Sequence, residues 1–122
     1  MSRNQYDLDK RTFNFAKDTR QFLRKAPKDV INFEDIKQLA RSSGSVGANY
    51  IEANESFSER DFKFRLMICK KEAKESIYWL RLLYLKDKSD LEKERQLLIR
   101  EADELTRIFA SIIIKKSNSV KS

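Results

Sequence analysis

Two pairs of glutamates, Glu52/Glu55 and Glu72/Glu75, stand three residues apart. On a helix that spacing puts both carboxylates of a pair on one face. Di-metal centres in helical bundles use such carboxylates, completed by histidines in Glu-x-x-His pairs. This chain of 122 residues has no histidine. The commonest metal ligand and the commonest general base are therefore both missing, and the pairs read as surface carboxylates. Cys69, the one cysteine, falls on an apolar stripe with no basic catalytic partner in sequence reach. It reads as a small buried apolar residue. No phosphate-cradling glycine motif is present. Gly44-x-x-Gly47 has the spacing of the backbone clamp of one RNA-binding module, but that module is a mixed α/β fold. The expectation is no catalytic, cofactor or metal site, and no enzyme.

Cations offer more. Lys63, Lys70, Lys74 and Arg81 lie within about 20° of one line on a helical wheel. Met67 and Ile77 flank the line, and no acidic residue interrupts it. A straight basic row can follow phosphates. The net charge is +7, from 26 Lys+Arg against 19 Asp+Glu. It is uneven: residues 61–122 hold 15 basic and 10 acidic side chains. From residue 107 onward there is no acidic side chain, and Arg107, Lys115 and Lys116 are expected to assist the row. Phosphate contacts position a partner without reading its sequence, so low specificity is expected. The competing account is a solvated charged seam that keeps a small protein soluble.

The elements that must hold these residues follow from composition and period. Two glycines and one proline supply far too few turns for an all-β protein. Charged residues make up 37% of the chain, interspersed with apolar ones, as in solvated helices. Four segments repeat at 3–4-residue spacing. The first, about 6–26, carries Leu8, Thr12, Phe15, Thr19, Phe22 and Ala26, and Pro27 stops it. The second, about 33–56, opens after Asn32 as a possible cap. It keeps its phase straight through Gly44 and Gly47, so it reads as one helix. Ser43 and Gly47 face inward there, where small residues let a neighbour approach. Ile51 and Asn54 fall on the same inward arc. The third, about 59–86, is capped by Ser58. The fourth, about 90–115, opens on the capping box Ser89-Asp90-Leu91-Glu92, and 116–122 reads as a frayed tail. Short connections make neighbours antiparallel. The expected fold is one all-α domain over 1–122, an antiparallel up-down-up-down four-helix bundle.

The third segment has a second apolar side. Opposite its core stripe lie Phe64, Ile68, Trp79 and Leu82, and a bundle helix needs only one apolar face. The extra face implies a protein partner, most economically another copy of the chain. Glu72 and Glu75 share that side and would pair across the contact. A heteromeric interaction scaffold with no nucleic-acid role is the alternative. The longest strongly apolar run, Ile108–Ile114, is too short to span a bilayer, and no signal peptide opens the chain. No membrane partner and a cytoplasmic location are expected.

Residues 41–53, Arg-Ser-Ser-Gly-Ser-Val-Gly-Ala-Asn-Tyr-Ile-Glu-Ala, contain Ser-Val-x-x-Asn-x-x-Glu-Ala. Residues 71–83 run Lys-Glu-Ala-Lys-Glu-Ser-Ile-Tyr-Trp-Leu-Arg-Leu-Leu. Together they resemble the small four-helix-bundle proteins encoded by intervening sequences of bacterial large-subunit ribosomal RNA genes, over roughly residues 12–113. The resemblance implies the bundle fold and a ring-like homopentamer, as in related accessory proteins of diversity-generating retroelements. Those retroelement proteins bind nucleic acid and dock onto a reverse transcriptase. The wording here is closer to the ribosomal branch, which argues against a reverse-transcriptase partner. Ser45, Asn49 and Glu52 match the family motif. They face away from the core on the wheel, as suits an intersubunit contact or a helix-packing hydrogen bond.

Overall fold

The structure, a computed structural model, describes residues 8–121, with side chains to residue 118. It holds four helices, α1 (Leu8–Lys25), α2 (Val30–Asn54), α3 (Glu59–Leu82) and α4 (Ser89–Lys121). The chain is all-α and packs as a four-helix bundle. Contacts between neighbours run in opposite senses. Thr12 meets Gly47 while Arg20 meets Gly44. Asn32 bonds Tyr84 while Asn49 bonds Arg65. Lys63 bonds Ser117 while Arg95 bonds Leu80. Arg11 bonds Glu101 while Lys25 bonds Glu94. Each adjacent pair is therefore antiparallel.

The inward stripes are those the period gives. Phe15, Phe22, Leu39, Val46, Leu66, Leu80, Leu105 and Phe109 are all buried in one core. The uninterrupted reading of α2 holds, and both glycines lie inside it. A methyl group on Gly47 would sit 3.0 Å from Thr12 Oγ1 and 3.2 Å from Thr12 Cβ. Gly47 is thus the point where α1 rests directly on α2. Gly44 has a different neighbour. The Arg20 guanidinium lies over it and donates to the Ala40 carbonyl at 3.0 Å.

Helix ends depart from the sequence reading. α2 begins at Val30, and its N-cap is Asp29, whose carboxylate accepts from the Asn32 amide at 2.9 Å. Asn32 is not the cap. It is buried, donates through Nδ2 to the Pro27 and Tyr84 carbonyls, and accepts from the Tyr84 amide. Ser58 caps α3 as expected.

α3 ends at Leu82, short of residue 86, because Leu83 turns to extended backbone and buries its side chain, as Leu85 does. The guanidinium of Arg95, a core-stripe position on α4, donates to the Leu80 and Leu83 carbonyls at 2.9 and 2.7 Å. A cation on the last carbonyls of a helix meets both their hydrogen-bonding need and the negative end of the dipole. α4 starts at Ser89, and the Glu92 amide donates to the Lys88 carbonyl. The Glu92 carboxylate engages Arg95 and Gln96 rather than reaching back over the first turn. α4 continues to Lys121, so the frayed tail expected at 116–122 is helical through residue 121.

The two glycines should respond oppositely to alanine. Ala at either site gains roughly 1 kcal/mol of helix propensity. At Gly44 only the movable tip of Arg20 must yield, so Gly44→Ala is expected to stabilise by up to about that amount. At Gly47 the added carbon presses on Thr12 Cβ, so Gly47→Ala should lose at least the same amount to overpacking. Urea titration followed by circular dichroism measures both.

Candidate nucleic-acid and subunit interfaces

The rotation of α3 decides what its polar residues face. Leu66, Cys69, Ala73, Ser76 and Leu80 point inward and are buried. One flank meets α2. Arg65 Nη1 donates to Asn49 Oδ1 at 3.2 Å, the Ser76 and Ser42 hydroxyls bond at 2.8 Å, and Arg41 reaches Glu72 and Glu75. The other flank meets α4, where Lys63 Nζ donates to Ser117 Oγ at 3.1 Å.

Lys63, Lys70, Lys74 and Arg81 therefore line the solvent side of the α3/α4 seam. The first two are half-buried, and Lys74 and Arg81 are exposed. None of the four forms an ion pair among the described residues. The helpers differ. Arg107 pairs with Asp103 at 3.1 Å. Lys116 pairs with Glu59 at 3.4 Å and lies 5.3 Å from the Phe62 ring centre. Lys115 is exposed, and it adjoins Ser117, the partner of Lys63.

The outer side of α3 keeps Phe64 and Leu82 exposed, together with Met67 and Tyr78. Ile68 is half-buried. Trp79 departs from the sequence reading. It is packed against the core, on the α2-facing row with Glu72, and its indole Nε1 is buried without a hydrogen-bond partner. Its ring meets Tyr78 edge-on at 5.0 Å. Glu72 was expected at the surface and is buried, with Arg41 3.3 Å from its carboxylate. Its partner is thus within the chain.

Of the family-motif residues, Asn49 makes a helix-packing bond. Its Nδ2 donates to the Ser45 carbonyl while its Oδ1 takes Arg65. Ser45 is half-buried and Glu52 exposed. Ile51 and Asn54, placed inward by the wheel, are exposed. Together with Phe13 they wall a groove of about 580 Å³ over Gly44 and Gly47, between α1 and α2.

Perturbed ionisation has structural causes throughout. Burial pushes the Cys69 thiol up to about 12, and it donates to the Val46 carbonyl. Burial likewise raises Tyr50. The hydrogen bond to Glu101 raises Arg11, and the bond from Arg95 lowers Glu92. Functional sites gather such shifts in one cleft, and these groups lie on separate elements.

What the fold presents is a small basic helical protein with two kinds of outward surface on one helix, a cationic row and an apolar face. No described helix is long and apolar enough to cross a membrane. The chain belongs to the 23S rRNA-intervening sequence protein family, whose model matches residues 4–111. A crystal structure of a protein of unknown function from the S23 ribosomal protein family of Bacteroides thetaiotaomicron is similar. It is 29% identical, with a TM-score of 0.75, over 86% of this chain and 96% of that one. No curated protein matches the chain.

The buried Glu72 carboxylate gives a test of this arrangement. Arg41→Ala leaves it without its main counter-charge and should cost about 1–3 kcal/mol. Adding Glu72→Ala should recover part of that loss, because the stranded charge is gone. Thermal unfolding of the single and double variants measures the difference.

Proposed function

We propose that this chain is a non-enzymatic, homo-oligomeric accessory protein that binds RNA or DNA through backbone phosphates with low sequence specificity. The observation that carries the reading is the row Lys63, Lys70, Lys74 and Arg81, which has no carboxylate partner among the described residues. Other exposed cations, Lys17, Lys37 and Arg100 among them, also lack an ion pair among the described residues, so what sets the row apart is its alignment along one side of α3. The row spans 18 residues of helix, about 27 Å at 1.5 Å per residue. Lys115 and Lys116 extend it beyond Lys63, and Arg107 adds charge from α4. The family's link to ribosomal RNA intervening sequences supports nucleic acid as the partner class. The resemblance also supports self-association, with five subunits as the expected ring.

A cation that displaces a counterion from a phosphate makes binding fall with salt. Four such contacts predict a loss of roughly 50- to 150-fold between 50 and 200 mM salt, across single- and double-stranded partners. Lys70→Glu with Lys74→Glu should weaken binding at least tenfold at the lower salt and flatten the slope by about two contacts. The α-helical signal should be unchanged. Fluorescence anisotropy with a labelled oligonucleotide reads all three. Binding that ignores salt, or none at 50 mM, rejects the nucleic-acid role.

A further inference from the structure

The outer face of α3 is patterned as its own complement. Phe64, Ile68, Lys71, Glu75, Tyr78 and Leu82 follow one another at steps of 4, 3, 4, 3 and 4, so the spacing reads the same from either end. The apolar residues occupy both ends of the stripe, and Lys71 and Glu75 sit on either side of its midpoint. Phe64 is 58% exposed, Tyr78 58% and Leu82 49%. Lys71 and Glu75 are also accessible, at 60% and 44% of their side chains; within the chain Lys71 lies 3.8 Å from Glu72 and Glu75 lies 3.4 Å from Arg41, contacts that a second copy would share.

We propose that a second copy of this chain covers this face, with the two α3 helices antiparallel about a two-fold axis near residue 73. In that register Phe64 meets the partner's Leu82, and Ile68 meets the partner's Tyr78. Lys71 meets the partner's Glu75, and the same ion pair recurs on the other side of the axis. Charge decides the direction. A parallel pairing would set lysine on lysine and glutamate on glutamate, and like charges in contact exclude a register as firmly as good contacts select one. A two-fold contact requires one patch to complement itself, which a stripe with a reversed-charge centre does.

The axis has a consequence for the cationic row. The row lies about 100° around α3 from the midline of the outer stripe. A two-fold axis perpendicular to the helices leaves that sideways direction unchanged. The rows of both copies therefore lie on the same side of the contact. Their helices are separated by about 8–10 Å, a normal interaxial distance. The pair presents one basic surface of eight α3 cations in place of two separate rows. This consequence rests on the phosphate-binding reading above, whereas the pairing does not. The pairing also differs from a ring contact, which is head-to-tail and joins two different patches. A ring of five would use other surfaces, such as the groove walled by Phe13 and Ile51.

Cysteine cross-linking without nucleic acid tests the pairing. Cys69 can stay in place, because it is buried and its thiol is pushed up to about 12. The thiolate is the reactive form, and burial disfavours it at pH 8. Phe64→Cys and Leu82→Cys chains are made separately, then mixed and treated with oxidant or a short bismaleimide. The mixture should give covalent dimers. Neither variant alone should, because equal positions lie about 27 Å apart along antiparallel helices.

Dimers from one variant alone would overturn the proposal. So would association of the unmodified chain, seen by sedimentation, with no cross-link in the mixture. A monomer at tens of micromolar would overturn it as well. The salt dependence of oligonucleotide binding is read independently. In the cross-linked dimer its slope should approach twice that of an unpaired chain.

Discussion

The rotation of α3 about its own axis decides everything this protein presents, and a polar ladder along the α2/α3 seam fixes it. Asn32 holds the backbone of Tyr84 through donor and acceptor at one end. The Ser42 and Ser76 hydroxyls bond in the buried middle. The Cys69 thiol reaches the Val46 carbonyl, and Asn49 takes Arg65 towards the other end. Apolar burial is non-directional and would tolerate some rolling or sliding of a helix. Hydrogen bonds of fixed geometry would not, since a slipped ladder leaves buried polar groups unpaired, at about 1–3 kcal/mol each. With α3 pinned this way, Lys70, Lys74 and Arg81 face solvent beside α4, and Phe64, Tyr78 and Leu82 face away from the bundle.

Periodicity made the bundle legible because each core stripe repeats over five or more turns. The continuity of α2 through Gly44 and Gly47 was legible for the same reason. Interactions that link distant parts of the chain were not. Asn32 looks like a cap because caps are short polar residues before an apolar run, and Asp29 fits that description equally well. What separates them is the Tyr84 backbone, 52 residues away. Arg95 sits on a core stripe for no local reason, and only the proximity of the α3 carbonyls explains it. The neighbour of Gly44, Arg20, likewise comes from another helix. Of the candidate surfaces, the row was fully visible on the wheel. The outer face is narrower than the wheel indicates, because a wheel does not show how far the rest of the bundle overlaps a helix's flank: Arg41 of α2 reaches Glu72, and Trp79 packs against the core.

The cationic row differs from the cations that tie one helix to another. Arg11 answers Glu101 and Glu104, Lys25 answers Glu94, and Arg41 answers Glu72 and Glu75. Those pairs join different helices and contribute to holding the bundle, though exposed pairs are individually worth little. The four cations of the α3 row have no such partners among the described residues and repel one another. At physiological ionic strength that repulsion is screened over a Debye length of about 8 Å. The fold therefore tolerates the row without depending on it, and charge reversal there leaves the core unaffected.

α3 also inverts the usual use of side-chain size. Its buried middle is Cys69, Ala73 and Ser76, with Ser76 bonded to Ser42 and Cys69 to the Val46 carbonyl across the α2/α3 seam. Its larger side chains, Phe64, Met67, Tyr78 and Leu82, are outside. A helix that served only its own bundle would gain by the reverse arrangement, because burying each such side chain is worth roughly 1.5–3 kcal/mol. Small residues inward let α2 come near enough for the hydroxyl ladder to close, and the apolar area left over lies on the outer face. The burial missing from the monomer's core is thus the burial a partner would supply. That links the small residues on the buried side of α3 to its exposed apolar face, the two lying on opposite sides of the same helix.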